Sequence, residues 1–190
     1  LTVRKLWQKG LADTSGLAAK VEKFTVGKDR ELDLMLAKYD VQGSLAHITM
    51  LSENGLLEPE ALEPLKRALQ DIYKDIEAGN FSIGEGTEDV HSEVEFRLTA
   101  KLGDLGKKIH SGRSRNDQVL VDLKLFTRAE IEKIVLETKH LFDILICLSE
   151  QHKDKLLPGY THLQIAMLSS FGLWFGAYAE SLIDYTALLA

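Results

Sequence analysis

The sequence predicts an all-α protein in which an N-terminal helical domain precedes the beginning of an elongated helical bundle. Apolar residues recur at helical rather than strand spacing along nearly every long segment. One of these segments is long enough for a helix of about 55 Å, and its apolar stripe is too wide for a single neighbour to cover. The 190 residues, 45% of them apolar, suffice for one sizeable core and a smaller appendage.

Three helices are expected in the first half of the chain. The first covers residues 31–51, where apolar side chains fall on one face. The second covers residues 59–78, because Pro59 suits a first helical turn and Gly79-Asn80 reads as a stop signal. Pro64 removes a backbone donor, so the regular helix starts either at Pro59 or at Pro64. A glycine-rich loop then leads to a short helix around Val94.

The second half is expected to contain one very long helix and one shorter helix. The long helix runs from Asp117 to Lys153, and the break at residues 157–159 ends its pattern. The last helix is expected to begin between residues 165 and 170. In it Gly172 and Gly176 lie four apart, which would let another backbone approach closely. Glycines clustered near residue 105 place the domain boundary between residues 1–105 and 106–190.

Composition excludes several classes of function. A formal charge of −6 argues against nonspecific nucleic-acid binding, and no segment reaches the ~18 uninterrupted apolar residues that span a bilayer. The single cysteine, Cys147, rules out a disulfide within the chain, is expected to be a buried thiol, and is compatible with the cytosol. Metal-binding, Walker and dinucleotide motifs are absent from the sequence.

The stretch "KKIHSGRSRNDQV", residues 107–119, is rich in hydrogen-bond donors. It has two interpretations. In the structural one, Ser114 or Asn116 caps the helix beginning near residue 117, and the arginines are solvated or paired with acids. In the functional one, the arginine forks, a helix N-terminus and the amide of Asn116 form an anion site.

Two further stretches combine polar side chains on predicted loops. "LPGYTHLQ", residues 156–164, carries a histidine that is either structural or a proton-transfer group. "EGTEDVHSEVEF", residues 85–96, offers Asp89 and Ser92, which either cap the short helix or contribute to a site. His91 either pairs with Asp89 on the surface or belongs to that site.

Together these stretches resemble the argininosuccinate lyase family of the aspartase/fumarase superfamily. Four blocks carry the resemblance, in the order and spacing of the family: "LAKYDVQGSLAH" (36–47), "EDVHSEVEFRL" (88–98), "HSGRSRNDQV" (110–119) and "PGYTHLQ" (158–164). The third block is the most specific of the four, whereas the fourth is shared more widely in the superfamily.

The resemblance implies a cytoplasmic enzyme of arginine biosynthesis, a homotetramer whose active sites gather residues from three subunits. Its substrate would be a small polycarboxylate, split by β-elimination into arginine and fumarate with no metal or organic cofactor. His162 would transfer a proton or assist the leaving nitrogen. Other residues would bind the substrate, namely Arg113, Ser114, Arg115, Asn116, Thr161, Gln164, Asp89 and His91.

The chain departs from the family pattern in four respects. The family usually begins with a Leu-Trp-Gly-Gly-Arg-Phe stretch, whereas Leu6-Trp7 is followed here by Gln8-Lys9-Gly10-Leu11. Asp29 stands where the family places a substrate-binding serine, and Leu168 stands where it places a proline before the last helix. The family is more than twice as long, and its serine-bearing signature loop is missing here. The sequence therefore predicts the N-terminal portion of a lyase that is inactive alone. The alternative is a non-catalytic helical structural protein with the same fold.

Overall fold

The computed structural model describes residues 16–85 and 87–189, which are largely helical and include one two-stranded sheet. The described elements, in chain order, are the helices α1 (Leu17–Val26), α2 (Asp29–Leu32), α3 (Ala37–Glu53), α4 (Pro59–Glu77), α5 (Val90–Leu102), α6 (Asp104–Lys107) and α7 (Arg115–Gln151), the strands β1 (Leu156–Thr161) and β2 (Gln164–Ser170), and the helix α8 (Phe171–Ala187). Short 3-10 turns cover Asp33–Met35 and Lys108–His110. The all-α prediction is confirmed.

The chain divides into two compact units, the first ending at Phe126 and the second beginning at Thr127. Helix α7 contributes to both. The expected domain boundary at residues 105–106 lies inside the first unit and stays a prediction.

The core of the first unit lies among α3, α4 and α5. Helix α4 begins at Pro59, as expected, and contains Pro64 within its second turn. The predicted apolar face of α4 is buried, with Leu65 and Leu69 completely inaccessible. Val94 and Leu98 of α5 pack into the same cluster. Burial of each such side chain contributes about 1.5–3 kcal/mol, so these three helices fix one another.

The second unit contains the rest of α7, the strand pair and α8. A Cβ at Gly172 would lie 2.6 Å from Lys153 Cα and 2.8 Å from the carbonyl oxygen of Ser149, so α8 approaches the end of α7 at backbone distance. The Ser149 hydroxyl donates a 2.7 Å hydrogen bond to the Gly172 carbonyl. The close backbone approach predicted from the glycine spacing is confirmed at Gly172.

The antiparallel pair β1–β2 was not expected, because residues 156–164 were predicted to form a loop. Leu156 pairs with Ser170 at one end, and Thr161 pairs with Gln164 at the other. The turn consists of His162 and Leu163, whose φ angles are +48° and +63°. Two-residue hairpin turns favour positive φ, but their usual sequence signal is Asn-Gly or Asp-Gly. The sequence carries no such signal, and the last helix begins at residue 171.

Cys147 is exposed, so the expectation of a buried thiol is wrong. Ile144, one turn earlier on the same side of α7, is also exposed, at 43%. An apolar run predicts burial only if neighbours cover every side of the helix, and the described residues of the second unit leave this face open. Among the described residues, no helix combines the length and hydropathy needed to cross a membrane.

Candidate active site

The donor-rich turn forms the N-terminus of α7, and Ser114 caps this helix. The backbone N–H of Ser114 donates to Asp117 Oδ2 at 2.8 Å, and the N–H of Asp117 faces the Ser114 hydroxyl at 3.4 Å. This reciprocal arrangement is a capping box. Hydrogen bonds from Ser114 lower the pKa of Asp117. Ser114 therefore has the structural role that the sequence left open, and its predicted role in substrate binding stays a prediction.

Arg115, the first residue of α7, is held by polar groups at the start of α5. Its guanidinium forms an ion pair with the Asp89 carboxylate, and Nη2 also donates to Ser92 Oγ at 2.9 Å. Glu88 Oε2 lies 3.9 Å from Nη1. The arginine side chain is still 44% exposed. It thus presents an oriented guanidinium that solvent and small molecules can reach.

The Asp89 carboxylate contacts two partners at once. Its backbone is extended, and its Oδ1 accepts a 2.9 Å hydrogen bond from the backbone N–H of Ser92, which makes Asp89 the N-cap of α5. The capping role predicted from the sequence is therefore correct. Its other oxygen, Oδ2, pairs with Arg115. The first turns of α5 and α7 are joined through this one carboxylate.

A cavity of about 370 Å³ opens beside this ion pair. Glu88, Asp89 and Arg115 line it on one side, and residues of α1 and α2, including Thr25 and Asp29, line the other. Asp29 stands where the resemblance predicts a serine. This acidic residue thus lines the same cavity as the guanidinium of Arg115. Acidic groups there attract a cationic group of a ligand and oppose a carboxylate, which only the Arg115 guanidinium attracts among the residues that line this cavity.

A buried polar network lies behind the ion pair. His91 Nδ1 lies 2.7 Å from Asp40 Oδ1 and 3.7 Å from Asp122 Oδ2. The amide of Gln118 donates to the same Asp40 oxygen at 3.3 Å. Asp40 and Asp122 are 1% exposed and His91 8%. The alternative that His91 pairs with Asp89 on the surface is wrong, because the first turn of α5 directs the ring into the interior.

The electrostatics of this network follow from its burial. Burial, together with the charge of Asp40, raises the pKa of Asp122 to about 7. Burial lowers the pKa of His91, but the hydrogen bond and charge of Asp40 and the charges of Asp89 and Asp122 outweigh it, so this pKa is raised. Burial also lowers the pKa of Arg113, against the attraction of Asp40 and Asp122.

One ligand atom from each of Asp40, His91 and Asp122 falls within 4.8 Å of the others, a spacing that a small cation could bridge. His91 Nδ1 is, however, engaged with Asp40 at 2.7 Å. The Arg113 guanidinium already brings positive charge to the two carboxylates. We therefore interpret the cluster as an ion-pair network rather than as a metal centre.

The remaining predicted residues of the turn take different positions. Arg113 points inward, and its Nη2 donates to Ser44 Oγ at 2.9 Å. Asn116 is exposed in the first turn of α7. Their predicted contacts with substrate stay predictions.

Thr161, His162 and Gln164 belong to the second unit. All three are exposed, at the end of the β1–β2 hairpin where His162 forms half of the turn. Their proposed convergence with the donor-rich turn stays a prediction.

Sequence reasoning missed two acidic residues around α5, namely Asp33 and Asp122. Asp33 Oδ2 accepts a 3.2 Å hydrogen bond from the backbone N–H of Val90. Asp40 and Asp122 contact His91, as described above. Asp40 lies in a block that the resemblance singles out, but nothing marks Asp122, one acid among many on a long amphipathic helix.

Comparisons with known proteins give a consistent result. A family model described as "Lyase" matches residues 21–186. The argininosuccinate lyase of Phocaeicola vulgatus is 62% identical over 181 residues, which are 95% of this chain and 40% of that protein. The argininosuccinate lyase of Hahella chejuensis is 42% identical over 95% of this chain and 38% of its own length. The chain thus spans about 40% of the length of the curated relatives it matches.

Solved structures share the fold at low sequence identity. A fumarate lyase:delta crystallin structure from Brucella melitensis superposes with a TM-score of 0.73 at 17% identity, covering 90% of this chain and 42% of that one. An EDDS lyase variant with bound fumarate has a TM-score of 0.69 at 23% identity, over 88% of this chain and 33% of its own. At these identities the likeness supports the fold alone.

Proposed function

The chain belongs to the lyase family, and from this premise we propose that it forms part of an argininosuccinate lyase. Such an enzyme removes a proton beside a carboxylate, breaks the neighbouring carbon–nitrogen bond and forms the double bond of fumarate. The leaving nitrogen takes up a proton and departs as part of arginine. Relatives 61% and 62% identical carry that name, which supports this reaction over other eliminations.

The single observation that carries the proposal is the oriented, accessible guanidinium of Arg115 at the N-terminus of α7. Proton removal next to a carboxylate moves negative charge onto that carboxylate. Fixed donors at the position where charge develops stabilise the transition state more than the ground state. The positive end of the α7 dipole adds to this effect. Arg115 and Asn116 are proposed to bind the substrate anion, with help from Arg113 and Ser114.

The second unit is proposed to supply the remaining groups from this chain. Thr161 and Gln164 would hold a substrate carboxylate, and His162 would transfer a proton or assist the leaving nitrogen. Asp89 and His91 would complete the wall of the pocket. We propose that the complete site forms in a cytoplasmic homotetramer, requires no metal or organic cofactor, and needs the rest of the lyase sequence. The 190-residue chain alone is therefore expected to be inactive.

The test uses the full-length protein that contains this chain, with argininosuccinate as substrate and fumarate absorbance as the readout. Arg115→Ala is expected to lower kcat/KM by about a hundredfold or more. Arg128→Ala is the matched control, because Arg128 also lies on α7 but pairs at the surface with Glu132 at 3.4 Å. Equal rates for the wild type and Arg115→Ala would contradict the proposal.

A second candidate function is a non-catalytic structural protein of the same fold. The specific observation that favours it is the apolar surface of α8, where Leu173 and Tyr178 are 69% and 54% exposed. An increase in the Tm of the full-length protein with argininosuccinate would support the enzyme. Unchanged melting at saturating ligand, together with an absence of turnover, would support the structural role.

A further inference from the structure

The buried network connects the same two helices that the exposed ion pair connects. Asp89 and His91 both belong to the beginning of α5, while Arg115 and Asp122 both belong to α7. Arg115 and Asp122 are seven residues apart, which is two helical turns or about 10 Å. Helices α5 and α7 therefore have an accessible cross-link at the cavity and a buried cross-link about 10 Å along α7.

A bound ligand affects the accessible cross-link but not the buried one. A carboxylate that binds Arg115 competes with Asp89 for the same guanidinium, so ligand binding weakens the accessible cross-link. The buried one cannot be reached in this way, since Asp40 and Asp122 are 1% exposed. The buried cross-link therefore keeps the beginning of α5 in place when Arg115 binds a ligand instead of Asp89.

We propose that Asp40 and Asp122 are positioning residues, which both act on Nδ1 of His91, at 2.7 Å and 3.7 Å, and thereby keep the first turn of α5 aligned with Arg115 during substrate binding. This inference rests on the proposed function. Neither carboxylate contacts the cavity that Arg115 lines, so both act through His91.

The charges of the network are balanced when every group is ionised. Asp40 and Asp122 then carry two negative charges, and His91 and Arg113 carry two positive charges. Further charged groups act on these residues from their surroundings: Asp33 on Asp122, Asp89 on His91, and Asp117 on Arg113. Hydrogen bonding is incomplete, because Asp40 Oδ2, Asp122 Oδ2 and Gln118 Oε1 have no hydrogen-bond partner among the described residues. Asp122 therefore acts on His91 through its charge, at 3.7 Å, rather than through a hydrogen bond.

Protons can reach the network. A cavity of about 340 Å³ is lined by Arg113, Gln118 and Asp122 together with residues of α3. Because burial raises the pKa of Asp122 to about 7, this carboxyl gains or loses its proton near neutrality. Below that pH it is neutral and resembles an asparagine amide. Above it, its charge helps to keep His91 protonated.

The decisive experiment compares Asp122→Asn with the wild type in the full-length protein across pH. The ratio of the wild-type to the variant kcat/KM for argininosuccinate is expected to rise about tenfold as the pH increases through the pKa of Asp122. Asp75→Asn, on the exposed face of α4, is the matched control and is expected to leave the ratio near one at every pH. A ratio that is large but independent of pH would show a packing role only and would overturn the proposal.

A second measurement needs no substrate. The NMR titration of the His91 imidazole, assigned by comparison with His91→Gln, is expected to give a pKa above 6.5 in the wild type. Asp40→Asn should lower this pKa, because the hydrogen bond and the charge of Asp40 then no longer oppose the effect of burial. A wild-type value at or below 6.5 would overturn the positioning role. A full-length protein without lyase activity would instead refute the proposed function, and the titration would still test the network.

Discussion

Asp89 and Arg115 form an ion pair that ties the first turn of α5 to the first turn of α7. The same aspartate caps α5 through the backbone N–H of Ser92. Because Asp89 both caps α5 and pairs with Arg115, it couples the stability of this helix to the orientation of the Arg115 guanidinium. Substitutions at this position can separate the two effects, since capping needs only an acceptor whereas the ion pair needs a charge.

Asp89→Asn is expected to retain the helix cap and lose the ion pair, whereas Asp89→Ala loses both. Asparagine caps helices about as well as aspartate, and replacing a cap by alanine costs about 1 kcal/mol. Urea denaturation should therefore show Asp89→Ala to be about 1 kcal/mol less stable than Asp89→Asn. Both variants should lower the lyase activity of the full-length protein. Equal stability of the two variants would contradict the capping role.

Helices α3, α4 and α5 of the first unit could be predicted from the sequence because their burial pattern is local. Apolar residues on α4 repeat every three or four positions, and Pro59 marks the beginning of this helix. Asp122 could not be recognised, because its environment is made by Asp40 and His91, which are 82 and 31 positions away in the chain. The interior position of a charged residue depends on helices that only the fold brings together.

The hairpin escaped prediction for a different physical reason. Its turn uses His162 and Leu163 at positive φ, where the sequence offers neither glycine nor asparagine as a signal. The same two positions lie in a block that the family resemblance identifies. That resemblance could locate a candidate histidine, but it could not reveal the backbone conformation that presents it.

The two glycines of α8 should respond in opposite ways to alanine. At Gly172 the new Cβ would lie 2.6 Å from Lys153 Cα, so one of the two backbones must shift, at a cost of about 1–3 kcal/mol. At Gly176 the nearest atom is Ser149 Oγ at 3.6 Å, an ordinary contact. Gly176→Ala should be neutral or stabilising by up to about 1 kcal/mol, because alanine favours the helix. Thermal unfolding of both variants tests this pair, and equal destabilisation would contradict the close approach of α8 to α7 at Gly172.

Asp122→Asn should change the dependence of stability on pH. The folded-state pKa of Asp122 is raised from 3.8 to about 7, so the folded chain binds this proton more tightly than the unfolded chain does. The resulting stability is fully present below the unfolded pKa and is lost as the pH rises through about 7. As the pH rises from the unfolded pKa to the folded one, the free energy of unfolding of the wild type should fall by about 1–4 kcal/mol more than that of the variant. Urea denaturation across this range measures the difference, and parallel curves would show that Asp122 titrates normally.

Leu163→Gly should stabilise the hairpin, although it removes a large side chain. Leu163 is 99% exposed, so its truncation sacrifices almost no packing within the described chain. Its φ of +63° is unfavourable for any residue with a Cβ by roughly 1–2 kcal/mol, and glycine avoids that strain. Part of this gain is offset because glycine also gains freedom in the unfolded chain, which leaves a net effect of about 0.5–1 kcal/mol. Ile165→Gly, in β2 and also exposed, is the control and should destabilise the strand pair. Hydrogen exchange of the β1–β2 amides reports on this region directly, and faster exchange in Leu163→Gly would contradict the strained turn.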